Sequence, residues 1–172
     1  MMVTKRSFLI WWIGGLVAFA GAIALHAPLI TDAVPGGIID HQAAPDAATV
    51  DAIHAGWKEA GVFGQATWAI ISDLIFIVIY GYGAFLGGRY FLSKPDTLLR
   101  GLGWIVAIAA IIFLISDLGE TGSQLIEVLN DAGSETLAMI ASTLQGPKSV
   151  SFVVSFLGIA IALVLEPFRA PK

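Results

Sequence analysis

Four long apolar runs constrain this chain more than any other feature. They cover about residues 8–25, 63–88, 101–118 and 150–165. The hydrocarbon core of a bilayer is about 30 Å thick and a helix rises about 1.5 Å per residue, so runs of this length cross it as helices. The expected fold is an all-α membrane protein, an up-down-up-down four-helix transmembrane bundle forming one domain over 1–172. The first run also has features of a secretory signal, with Lys5 and Arg6 ahead of it and Ala22-Ile23-Ala24 near its end. We read it as a retained first helix.

Charge supports this class and excludes others. Only 13% of the residues are charged and 57% are hydrophobic, against about 25% charged in soluble domains. The net charge is −4 and there is no basic run, which argues against nucleic acid as a partner. The chain has no cysteine. Disulfides, thiolate zinc sites, iron–sulfur clusters and thiol nucleophiles are therefore excluded.

Lysine and arginine placement gives an orientation. Lys5, Arg6, Arg89, Lys94, Arg100, Arg169 and Lys172 fall on one side, leaving only Lys58 and Lys148 on the other. The positive-inside rule then makes both termini cytoplasmic, in a multi-pass protein of a bacterial-type inner membrane. Aromatic residues are expected at both boundaries: Trp11, Trp12, Tyr90, Phe91 and Trp104 at the inner one, Trp57, Phe63 and Trp68 at the outer one.

The two outer connections, 27–62 and 119–149, are long. In the first, Val34-Pro35-Gly36-Gly37 signals a turn, and Ala47 to Ala60 reads as a short amphipathic helix with Val50, Ile53 and Trp57 on one face and Gly61 as its cap. In the second, Gln124 to Leu144 has helical apolar spacing, with an interruption at Gly133 and an end at Gly146-Pro147. Each outer connection is thus expected to lay a short amphipathic helix over the same face of the bundle.

Asp73 and Asp117 are the ionisable residues inside the spans. Asp73 lies 16 residues before Arg89 and Asp117 lies 17 after Arg100, which puts both about 24–26 Å from the basic boundary. Both sit in the same tetrapeptide, Ile-Ser-Asp-Leu. An intramembrane aspartate needs a partner or a role. The pair is expected to floor an outward-facing cavity, with Ser72, Ser116, Ser151 and Ser155 beside it. Either the two carboxyls approach and share a proton or a cation, or they point apart and bond to local groups. His26, His41, His54 and Glu120 would stand at the rim as candidate metal ligands, though their spacing matches no compact metal motif. No histidine is placed to hold a haem mid-span, and the sequence names no cofactor. Gly83 and Gly87 form a small-xxx-small face, suited to packing in the bundle or to a homodimer. Glu166 reads as an interfacial ion pair with Arg169.

The segments 34–42, Val-Pro-Gly-Gly-Ile-Ile-Asp-His-Gln, and 50–57, Val-Asp-Ala-Ile-His-Ala-Gly-Trp, with the Asp-bearing second span, resemble small bacterial four-span integral membrane proteins of no assigned activity. The long first outer loop with a helix before span two is also similar to the anthrone-oxygenase-like membrane family. Neither resemblance implies a site residue. Two functions fit the residues. One is a membrane binding protein or enzyme using the Asp/His cavity for a cation, a proton or an amphiphilic ligand. The other is a non-catalytic accessory subunit that meets a membrane-protein partner through its glycine faces.

Overall fold

The computed structural model describes residues 3–169, so Lys172 lies outside it. Among the described residues every regular element is helical: α1 (Lys5–His26), a 3₁₀ turn (Ala27–Leu29), α2 (Ile38–Gln42), α3 (Ala47–Glu59), α4 (Phe63–Leu92), α5 (Thr97–Asn130) and α6 (Glu135–Arg169). Four of them, α1, α4, α5 and α6, are long and apolar enough to cross a bilayer.

Local chemistry sets the helix ends. Thr4 accepts a hydrogen bond from Ser7 N, Asp46 from Thr49 N, and Asp96 from Leu98 N and Leu99 N, so three helices start on side-chain caps. The α3 helix stops at a Schellman turn: Gly61, at φ +71°, donates to Lys58 O while Val62 donates to Trp57 O. Asp131, at φ 51°, makes the same turn after α5.

Successive long helices run antiparallel. Phe8 of α1 meets Tyr90 and Phe91 of α4, while Phe19 meets Phe76. Ala107 of α5 backs on Gly88 of α4, and Phe113 on Phe76. On α6, Lys148 pairs with Glu120 of α5, while Arg169 reaches Asp96. The α1/α6 seam is the loosest of the four. It is bridged by side chains: Lys5 to Glu166 at 2.6 Å, Trp12 to Phe156, and Phe19 to Phe152.

The surface is apolar where a soluble protein's would be polar. Val17, Ile75, Ile108, Ile115, Leu157 and Ile161 all point outward, and Trp68 and Trp104 are 65% and 61% exposed. This belt identifies an integral membrane protein, whose lipid-facing side chains are as apolar as its core. Trp57, expected at the boundary, is instead fully buried, with its Nε1 donating to Leu29 O at 2.9 Å. Trp12 and Tyr90 are likewise interior.

The second outer connection differs from expectation. The apolar pattern over 124–144 is helical, but both halves continue the long helices, leaving only a turn at 131–134. Pro147 does not end a helix; α6 runs through it. Contacts on both sides of it pack α6 against α5, with Leu144 over Gly119 and Lys148 on Glu120. At about 1.5 Å per residue, α5 and α6 are about 50 Å long, some 20 Å more than the hydrocarbon core. The excess forms a head at the end away from Lys5 and Arg89. There α3 packs Val50, Ile53 and Trp57 on Ile70, Val128 and Ala138. Asp51 accepts from Gly133 N at 2.6 Å, and Lys58 pairs with Asp131.

The glycine face is occupied within the chain. A Cβ on Gly83 would collide with the Trp11–Trp12 backbone of α1, and one on Gly87 would press on Phe8 and Ile159. The surface suggested for a homodimer or partner is thus an internal seam. We expect Gly83→Ala to destabilise the bundle by about 1–3 kcal/mol, read as a lower unfolding midpoint in detergent. Gly21→Ala, whose Cβ would meet nothing within 4 Å, should change it by less than about 0.5 kcal/mol.

Candidate functional site

Each long helix carries a polar residue in its head-side half and a phenylalanine one or two turns toward the basic end. The pairs are His26 and Phe19, Asp73 and Phe76, Asp117 and Phe113, and Lys148 and Phe152. The antiparallel packing brings all eight to one cavity of about 510 Å³ at the α1/α6 seam. The phenylalanines make a connected aromatic floor, with Phe19–Phe76 at 4.9 Å and Phe113–Phe152 at 5.8 Å between ring centroids. The charged side chains form a layer above it. Ile30, Ile38, Ile39 and Gln42, from the first connection, roof the space. The mouth is apolar: Ile23, Ile30, Ile39 and Val153 are each at least half exposed.

Asp73 and Asp117 therefore share one cavity, on its walls rather than as its floor. Asp73 Oδ2 lies 2.9 Å from His26 Nε2, but off the line of the ring N–H, so the contact is a close approach rather than a formed hydrogen bond. Asp117 Oδ1 accepts from Thr121 Oγ1 at 3.2 Å and lies 3.6 Å from Lys148 Nζ. The Lys148 ammonium itself sits 2.6 Å from Glu120 Oε1, and Glu120 is fully buried. The layer thus sets three carboxyl groups against one lysine and one histidine.

The expected serines are elsewhere. Ser72 donates to Ala69 O, and Ser151 to Pro147 O and Lys148 O, each a backbone acceptor on its own helix. Ser155 bonds to the Tyr80 hydroxyl at 3.0 Å, below the cavity. Ser116 is buried without reaching the cavity wall, which takes Ser149 instead.

The four candidate metal ligands fall into three separate pairings. His26 faces Asp73 and Glu120 binds Lys148, while His41 and His54 face each other, Nε2 to Nε2 at 3.1 Å, in the head. Among the described residues no three histidine, aspartate or glutamate side chains are grouped to hold a metal. Both head imidazoles are buried and stack against Trp57. Burial, and secondly the neighbouring His54, lowers the His41 pKa to about 3. Burial also lowers that of His54, against the pull of Asp131.

At the basic end, Glu166 pairs with Lys5 and Lys94, each at 2.6 Å, and accepts from Tyr90. Arg169 goes to Asp96 rather than to Glu166. Sequence reasoning missed Lys148 and the aromatic floor. The recurring polar residue with a phenylalanine nearby in each span is the signal that would have found both.

No protein family, curated protein or solved structure matches the chain.

Removing Lys148 leaves buried carboxylates uncompensated. We expect Lys148→Met to cost about 3–5 kcal/mol, and Lys148→Met/Glu120→Gln to recover part of it, as measured by unfolding midpoints in detergent. In the head, unfolded histidine binds a proton below about pH 6.5, whereas folded His41 stays neutral down to about 3. The unfolded state therefore holds more protons in that window, and stability rises with pH across it. Protection of the α2 and α3 amides, corrected for intrinsic exchange, should be full above about pH 6.5 and fall as pH drops toward 3. His41→Phe should flatten that dependence.

Proposed function

We propose that this membrane protein binds an amphiphile with a protonated amine head in the cavity between α1 and α6. The carrying observation is the layered cavity: Asp73 and Asp117 on its walls, an aromatic floor below and an apolar mouth beside the lipid belt. A volume of about 510 Å³ is in the range of sites for small organic ligands. The excess of carboxyl groups over cations in the layer favours a positively charged head over an anionic one. The phenylalanine rings add cation–π attraction for the same sign of charge. An apolar tail enters from the bilayer through the loose α1/α6 seam.

The basic end is read as cytoplasmic. Lys5, Arg6, Arg89, Lys94 and Arg100 support this through the positive-inside rule. The cavity and head then face the opposite compartment of a bacterial-type inner membrane.

Dodecylamine, dodecanol and dodecanoate share a twelve-carbon chain and carry a cationic, a neutral and an anionic head. Calorimetry with the purified protein in nanodiscs should show saturable binding of dodecylamine. Dodecanol and dodecanoate should bind about tenfold more weakly or worse, and Asp73→Asn or Asp117→Asn should weaken the amine by a similar factor. Dodecylamine binding at wild-type strength to both variants would overturn the reading.

A further inference from the structure

A buried polar stripe runs up α5 from the cavity into the head. Asp117, Glu120, Gln124 and Glu127 recur every three or four residues on one helix face, and all are at most 4% exposed. Glu127 Oε2 lies 4.0 Å from His41 Nε2, which meets His54 Nε2 at 3.1 Å. On the far side, His54 Nδ1 is 3.9 Å from Asp131 Oδ1, and the Asp131 side chain is about half exposed, 47%. At the cavity end Glu120 joins Lys148, which also faces Asp117.

The atoms along this stripe are under-bonded. Both amide atoms of Gln124, Glu120 Oε2, Glu127 Oε2 and the Nδ1 atoms of His41 and His54 have no hydrogen-bond partner among the described residues. Buried polar atoms of this kind are where proteins hold ordered water. An apolar stretch of helix would have sealed the head more simply, because each unsatisfied buried group is costly. The cavity mouth, by contrast, is lined mainly by isoleucine and valine, with Gln42 and Ser149 as the uncharged polar side chains of the lining.

We infer that the α5 stripe is a proton path, linking solvent at Asp131 to the cavity carboxyls through His54, His41, Glu127, Gln124 and Glu120. One proton leaves solvent at the head and one bonds an Asp117 or Asp73 oxygen. Each group between ends with the number of protons it began with. His54 accepts at Nδ1, on the Asp131 side, and releases from Nε2; His41 takes the proton at Nε2 and gives it up from the same atom, which also faces Glu127 Oε2. Gln124 does not titrate; it holds the water that spans the turn between Glu127 and Glu120. The charged and titratable groups facing the path are Lys58 and Asp51 of α3 near His54, Lys148 of α6 at Glu120, and His26 of α1 at Asp73. The inference rests on Asp73 and Asp117 forming the binding site, and gives that site its exchange partner: a proton leaves the carboxyl when the cationic head arrives.

The test needs no ligand. After a pH jump, time-resolved infrared spectroscopy on the ligand-free protein follows the carboxyl band of Asp117, assigned by its loss in Asp117→Asn. Gln124→Leu and Glu127→Leu should each slow its response about tenfold or more, with the final amplitude unchanged. Gln124→Glu should restore the wild-type rate, which a merely structural defect would not allow. Wild-type rates in both leucine variants would overturn the path, as would an Asp117 band that never responds while the protein is folded. Failure of amine binding alone would leave this response intact, so the two readings fail separately.

Discussion

The structure depends on one constraint: ionisable side chains from all four spanning helices, three carboxyls buried and His26 and Lys148 half-buried, meet at a single level of an otherwise apolar bundle. Asp73, Asp117, Glu120, His26 and Lys148 are each expensive to remove from water, and only their mutual contacts make the arrangement tolerable. Lys148 is the pivot, because it reaches two carboxyls from the one helix that also runs through a proline. That pairing holds α6 to α5 where Pro147 would otherwise weaken the helix. The head completes the arrangement. The α2 and α3 segments, tied by Trp57 and by the Lys58–Asp131 pair, cover the charged layer from above.

Around that layer the packing is uneven. Small residues bring α1 to α4 and α4 to α5 almost to backbone contact, as at Gly83 with Trp12 and at Gly88 with Ala107. The α1/α6 seam has no such face. Bulky rings meet across it instead, and the cavity opens there. Close packing along three seams and a loose fourth give a bundle with one lateral entrance.

The spans were legible because lipid demands long apolar helices, and composition records that demand directly. The common level of Asp73 and Asp117 was legible too, since helical rise turns sequence distance into depth. The break at Gly133 was legible, as the turn at 131–134, but the second connection was misread at Pro147, a breaking signal in water that neighbouring helices can hold within a helix. Lys148 was read as a loop residue for the same reason, so its partners were out of sight. The His41–His54 contact joins two short helices through tertiary packing of Trp57. No spacing rule encodes it. The serines near the aspartates were overread, because hydroxyls in helices turn back to their own carbonyls, as Ser72 and Ser151 do.

The central claim is that an amphiphile occupies the layered cavity with its head among the charges. Photo-crosslinking in native membranes tests it most directly, using a long-chain amine with a photoreactive group beside its head and peptide mapping of the adducts. The account predicts adducts concentrated on Phe19, Phe152 and Val153 at the seam, and competed away by excess amine. Adducts spread along the outer belt, on Val17, Ile108 and Ile161 alike and indifferent to competitor, would contradict it.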